Sequence, residues 1–242
     1  MIKLEVCIDN IESLYIAQQA GADRIELCSA LTLGGLSPTS GLISQVTKHA
    51  TIPVHVMIRP RDGDFLYSSD EVEMMLSEIH AAHVAGVQGV VFGVLNKQAQ
   101  IDSDILTSLM KASKGLSVTF HRAIDCCKDP KLAMETVLTA GCDRVLTSGL
   151  ASRIDLGVDC VKQMVDQSAG RLSVMAGAGI TANNVSGIIR STGINEVHMS
   201  AKTRRASYME AIVNCGYLPE FMKLNVTGGE KVSAVKQAIQ GF

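Results

Sequence analysis

Four related copies of one segment limit what this chain can fold into. The segment reads AGADRIEL at 20–27, and it recurs as AGVQGVVF from Ala85, AGCDRVLT from Ala140 and TGINEVHM from Thr192. Each copy joins a small residue and a glycine, which suit the end of a helix, to apolar and β-branched residues that suit a buried strand. Each copy therefore predicts a junction from helix to strand.

A second set of four strand-like runs lies between these copies. They are LEVCI from Leu4, VHVMI from Val54, LSVTF from Leu116 and LSVMA from Leu172. The two interleaved sets give eight strands with helical sequence between them, and 242 residues is close to the roughly 250 that an eight-unit barrel needs. We therefore predict an α/β fold, a (β/α)8 TIM barrel with a closed parallel sheet. The alternative is an open doubly wound sheet, but IDNIES after the first strand lacks the glycines typical of that fold.

We expect one domain over residues 1–242, with the barrel core at 1–202 and a C-terminal loop and helix at 203–242. A hydrophobic content of 47% is enough to bury one large core. The net charge is −2 and charged residues are dispersed, so neither a nucleic-acid groove nor a basic membrane patch is expected. No membrane span is predicted. We expect a cytoplasmic protein in which seven cysteines, without the spacing of a disulfide framework, stay as thiols.

Polar residues collect at the predicted C-terminal ends of the strands, where barrels of this class carry their chemistry. Strand alternation points Glu26, Arg59 and His121 inward. If the protein is an enzyme, Arg59 is expected to clamp an anionic substrate, and His121 and Glu26 to act as acid and base. The alternatives are that Arg59 pairs with Glu5 or Glu26, and that His121 is a core histidine or a metal ligand. His198 is ambiguous in the same way.

Two turns rich in small residues follow the sixth and seventh strands. Ser148 and Gly149 lie in the first, and Gly177 and Gly179 lie in the second. Backbone N–H groups at such turns and at helix starts attract anions, so these residues are a candidate phosphate or anion site. The alternative is a tight turn without a ligand. The expected partner is a small anionic or phosphorylated metabolite.

Two cysteines occur in matched E-x-C contexts. Cys7 and Cys28 both point inward on neighbouring predicted strands. Two thiolates near Met57 would suit a soft ion such as Cu(I). The alternative is that both are small buried core residues. The other cysteines lack ligand spacing and are interpreted as structural: Cys126, Cys127, Cys142, Cys160 and Cys215.

Longer motifs follow one another in order over residues 1 to about 202. They are MIKLEVCIDN, GADRIELCSALTLGGLSPT, VMIRPRDGDFLYS, VVFGVL, VTFHRAID, RVLTSG and GAGIT followed by EVHMSA. These motifs resemble those of the CutC family of copper homeostasis proteins. The resemblance implies a TIM barrel, a cytoplasmic homodimer and a role in copper tolerance or trafficking.

The same resemblance implies site residues. It implies that Cys7 and Cys28 are copper ligands. It also matches Glu26, Arg59 and His121 to positions of a pocket that is like an enzyme's, although no reaction is established for that pocket.

Overall fold

The computed structural model describes residues 1–209 and 222–242. Eight parallel strands close into a barrel in chain order, with β8 hydrogen-bonded to β1. The strands are β1 Lys3–Ile8, β2 Arg24–Leu27, β3 Val54–Met57, β4 Gly89–Phe92, β5 Ser117–Phe120, β6 Arg144–Thr147, β7 Ser173–Ala176 and β8 Glu196–Met199. The predicted TIM barrel is confirmed.

Helices connect the strands and surround the barrel. They are α1 Ile11–Gln19, α2 Ser40–His49, α3 Ser69–Val84, α4 Ser103–Ala112, α5 Pro130–Ala140, α6 Ile154–Ser168, α7 Val185–Thr192 and α8 Gly229–Ile239. Local sequence explains where two of these helices begin. Ser68 and Glu71 form a reciprocal capping box at α3, and α5 begins with Pro130 directly after the capping side chain of Asp129.

The two faces of each barrel strand differ in character. The outward side chains of β1, Leu4, Val6 and Ile8, belong to one large apolar core beneath the helices. The inward side chains include Glu5 and Cys7, both buried. Because side chains alternate along a strand, one short segment supplies both the core and the barrel interior.

The C-terminal extension contains more regular structure than the sequence predicted. After the barrel, β9 Lys202–Ala206 and β10 Lys223–Thr227 form an antiparallel pair where a loop was expected. The prediction was wrong there because KTRRA is charged and largely solvent-facing, so no apolar pattern marks it as a strand. Positions 210–221 of the expected C-terminal loop and helix lie outside the described residues, and so does Cys215.

No helix in the part of the chain that the structure describes is both long enough and apolar enough to cross a membrane.

Candidate functional site

A cavity of about 680 Å³ opens at the C-terminal ends of the strands. Strand residues line it together with the loops after β2, β3, β5, β7 and β8 and part of α8. The chemically important lining residues are Cys7, Glu26, Met57, Arg59, His121 and His198. The structure therefore brings together Cys7 and the three predicted catalytic residues, whose roles stay predictions.

A buried network of charges lies on the inward strand faces. Arg24 donates from Nε to Glu5 and from Nη2 to Glu196, and Arg144 Nε donates to Glu196 Oε2 at 2.7 Å. All four side chains are nearly inaccessible to solvent. The alternative that Arg59 pairs with Glu5 is therefore wrong, because Glu5 is paired with Arg24.

Sequence reasoning missed Arg24, although a signal for it was present. Arg24 lies two residues before Glu26, so strand alternation sends both side chains inward. The register of β1 and β2 places Glu5 opposite Arg24 and Cys7 opposite Glu26. The Glu5–Arg24 pair thus lies next to the Cys7–Glu26 pair along β1 and β2, and Cys7 and Glu26 line the cavity.

His198 connects this network to the cavity. Its Nδ1 lies 2.8 Å from Glu5 Oε1, and its Nε2 lies 3.8 Å from Glu26 Oε2. Burial opposes a charge on the imidazole, but nearby Glu26 and the hydrogen bond to Glu5 raise the pKa of His198 well above its usual value. Burial raises the pKa of Glu26 to about 6. At neutral pH the cavity floor therefore holds an imidazolium between two carboxylates.

The two candidate copper ligands have different surroundings. Cys7 lines the cavity, and a ligand atom from each of Cys7, Glu26 and His198 lies within 4.8 Å of the other two. Cys28 is fully buried, packs against Met57, and its Sγ donates to Glu26 Oε2 at 3.5 Å. Burial raises the pKa of both thiols, so both are protonated at neutral pH.

Arg59 holds loops together in addition to lining the cavity. Its Nη1 donates to the backbone oxygens of Leu33 and Gly35 at 3.0 and 3.1 Å, and its Nη2 donates to Gly63 O at 2.9 Å. The guanidinium also lies over the Phe65 ring, 5.2 Å from its centroid. Both terminal nitrogens therefore donate hydrogen bonds to carbonyl oxygens of neighbouring loops. The sequence did not predict these bonds.

His121 is a neutral hydrogen-bond donor. Its Nδ1 accepts from the backbone N–H of Ala123 at 3.1 Å, so in the neutral ring the proton resides on Nε2. Burial and the charge of Arg59 lower the pKa of His121 to about 3. The imidazole is thus uncharged at neutral pH, and it can polarise a ligand oxygen more readily than it can deliver a proton from an imidazolium.

Three buried polar atoms on residues that line the cavity have no hydrogen-bond partner within the described chain. They are Glu26 Oε1, Arg59 Nε and His121 Nε2, one acceptor and two donors. Each buried polar atom left unpaired costs about 1–3 kcal/mol. A ligand with complementary polar groups would recover that cost, so the arrangement is typical of a binding site.

The four residues of the candidate anion site do not all line the cavity. Of Ser148, Gly149, Gly177 and Gly179, only Gly179 lines the cavity. The N–H of Gly149 donates to Thr147 Oγ1 at 2.9 Å, and the N–H of Gly177 donates to the Thr147 carbonyl at 2.9 Å.

The carboxylate of Asp125 accepts the hydrogen bonds that an external anion would need at the turn after β6. Its carboxylate accepts from the backbone N–H of Ser148 at 3.1 Å and from that of Leu150 at 3.2 Å. It also accepts from Ser148 Oγ at 2.9 Å and from Arg122 Nε at 2.8 Å. An anion site in the cavity would therefore depend on Gly179 and the residues after it.

Comparison with known proteins agrees with this architecture. The CutC family model matches residues 2–203. A family protein CutC of Photobacterium profundum is 54% identical over 243 residues, 99% of each chain. One of Aliivibrio fischeri is 48% identical over 246 residues, again 99% of each chain.

Solved structures give a consistent result. The putative copper homeostasis protein CutC from Streptococcus agalactiae is 31% identical, with a TM-score of 0.79 over 83% of this chain and 99% of that one. A phosphoribosylanthranilate isomerase from Thermotoga maritima, a monomeric form of a dimer, has a TM-score of 0.60 over the whole of both chains. At 11% identity it shows the shared fold alone. Sequence and structure together show that this chain belongs to the CutC family.

Proposed function

We propose that this protein takes part in copper homeostasis and binds Cu(I) through Cys7 and Cys28. The observation that carries the proposal is the pair of buried thiols on β1 and directly after β2, with Cys7 opposite Glu26 and Cys28 two residues beyond Glu26. Met57 packs against Cys28, so a thioether sulfur lies close to one of the two thiols. Sulfur ligands select Cu(I) over harder ions. The name of the Streptococcus agalactiae relative, which refers to copper homeostasis, supports the same assignment.

Cys7→Ser and Cys28→Ser are each expected to abolish tight Cu(I) binding, because each change removes one of two thiolate ligands. The measurement is competition against a chromophoric Cu(I) chelator under reducing conditions. Cys142→Ser is the matched control, since Cys142 is also buried but lies elsewhere, with its Sγ 3.7 Å from Met110 Sδ. Equal Cu(I) affinity in the Cys7/Cys28 double variant and the parent chain would contradict the proposal.

We place the protein in the cytosol as a homodimer. A reducing compartment keeps thiols free, as the proposed copper ligands require. Light scattering at micromolar concentration tests the dimer, and a monomer mass would exclude it.

A second candidate function is an enzyme that acts on a small anionic or phosphorylated metabolite. The three unpartnered atoms of Glu26, Arg59 and His121 in one cavity favour it. In this function, His121 donates from Nε2 to a ligand oxygen, Glu26 acts as base, and Arg59 positions the surrounding loops and contributes its Nε–H. The raised pKa of Glu26, about 6, suits a base that works near neutral pH.

His121→Asn is expected to weaken the binding of such an anion by about 1.5–3 kcal/mol, the range for a hydrogen bond to a charged group. Asparagine can still accept from the Ala123 N–H through its side-chain oxygen, but it lacks the Nε2–H donor. Calorimetric titration with phosphate and sulfate, and a thermal-shift screen of anionic metabolites, provide the measurement. His80→Asn, on the exposed face of α3, is the control. Unchanged affinity in His121→Asn would remove this residue from the site.

A further inference from the structure

We propose that Cys7, Glu26 and His198 form a site for a divalent ion of the zinc class. This site is distinct from the Cu(I) pair but shares Cys7 with it. It goes beyond the proposed copper function and does not depend on Cu(I) binding. The two ions would compete for one thiolate.

The ligand atoms are already close to the arrangement that such an ion needs. One atom each from Cys7, Glu26 and His198 lies within 4.8 Å of the other two. Zinc binds sulfur at about 2.3 Å and nitrogen or oxygen at about 2.0–2.2 Å, which places tetrahedral ligands roughly 3.5 Å apart. Closing the remaining gap needs rotation about side-chain torsions, of which Glu26 has three, and leaves the strands in place.

The orientation of His198 is the second observation. Its Nδ1 is engaged by Glu5 Oε1 at 2.8 Å, which turns Nε2 toward Glu26 and the cavity. Histidines that bind metals nearly always present one ring nitrogen to the ion and the other to a carboxylate or carbonyl. Glu5 is itself held by Arg24, so the imidazole is oriented by a rigid, buried partner.

A buried oxygen without a partner is the third observation. Glu26 Oε2 accepts from the Cys28 thiol, whereas Glu26 Oε1 has no partner within the described chain and the residue is only 3% exposed. A carboxylate oxygen in that position costs free energy unless a cation or a donor pairs with it. Binding of the ion would release one proton from the Cys7 thiol and one from His198 Nε2 to solvent. The two charges of the ion would then be balanced by the Glu26 carboxylate and the Cys7 thiolate.

The ligand number indicates how such an ion would be used. Three protein ligands leave the fourth tetrahedral position free, as in catalytic rather than structural zinc sites. All three residues line the 680 Å³ cavity, so the fourth position faces the space available to a small molecule. The site would therefore polarise an oxygen of a ligand or of water held in the cavity.

Titration of the full-length chain with Co²⁺ tests the site, because Co²⁺ occupies zinc sites and is coloured. The parent chain is expected to bind one equivalent, with a thiolate-to-cobalt charge-transfer band and the strong visible absorption of four-coordinate cobalt, and Zn²⁺ should displace both signals. Cys7→Ser should remove the charge-transfer band. Glu5→Gln should weaken binding about 10–100-fold, the loss typical when the partner that orients a ligand is removed.

Glu26→Gln keeps the size of the side chain, so it tests the third ligand in a folded chain and should weaken Co²⁺ binding more than Glu5→Gln does. Circular dichroism checks that each variant is folded. Cys142→Ser is the matched control, because Cys142 is buried but does not line the cavity, and this variant should keep the full cobalt spectrum. A parent chain without the charge-transfer band, a band that survives in Cys7→Ser, or a band lost in Cys142→Ser would overturn the assignment. Cu(I) competition on the same variants shows separately whether the copper proposal stands.

Discussion

Replacing Arg24 with alanine is expected to destabilise the folded chain by about 3–5 kcal/mol, the cost of removing one partner from a buried ion pair. Arg24 stands between Glu5 and Glu196, and all three side chains are at most 6% exposed. Arg144 still pairs with Glu196 in the variant, but Glu5 would keep only His198. The loss comes mainly from the carboxylate left buried rather than from the pair's own strength.

Urea denaturation followed by circular dichroism measures this change in the free energy of unfolding. Lys162→Ala provides the comparison, because Lys162 pairs with Asp166 on the exposed surface of α6 and such pairs contribute little. A loss for Arg24→Ala no larger than that for Lys162→Ala would show that the network does not stabilise the barrel. If Arg24→Ala also loses Co²⁺ binding, the result would agree with the role of Glu5, which Arg24 holds and which orients His198.

The barrel itself could be predicted because its causes are local. The repeated helix-to-strand junctions and the period of two within each strand depend only on neighbouring residues. Alternation therefore placed Cys7 and Glu26 inward before any pairing was known. The charged strand Lys202–Ala206 could not be predicted from local pattern, because it forms by pairing with Lys223–Thr227, more than 15 positions away in the chain.

Partner choice in the site could not be predicted in the same way. Glu5 meets Arg24 and His198 because of the registers of β1 with β2 and β8, which no single strand encodes. Arg59 lies two residues after the last residue of β3, where alternation no longer fixes direction, and its guanidinium donates to backbone oxygens of two loops. The N–H groups of the turn after β6 were predicted to bind an external anion, but they donate to the carboxylate of Asp125, which competes with such an anion.

The turn after β6 also carries the second large expected effect. A β-carbon added at Gly157, within α6, would lie 1.9 Å from the backbone oxygen of Ser148. That oxygen cannot easily move, because Asp125 holds the Ser148 N–H and hydroxyl. Gly157→Ala should therefore force the helix away from the barrel and cost about 1–3 kcal/mol or more, as overpacking in a core does.

Gly187→Ala is the matched control for that change. Gly187 also lies within a helix, α7, but nothing is within 4 Å of the position that its β-carbon would take. Alanine there should stabilise the chain by about 0.5–1 kcal/mol, because glycine loses more backbone entropy when a helix forms. Denaturation of the two variants should thus shift the unfolding midpoint in opposite directions. If both Gly157→Ala and Gly187→Ala stabilise the chain, the turn after β6 can move to make room for the added β-carbon, and the contacts of Asp125 do not hold that turn in place.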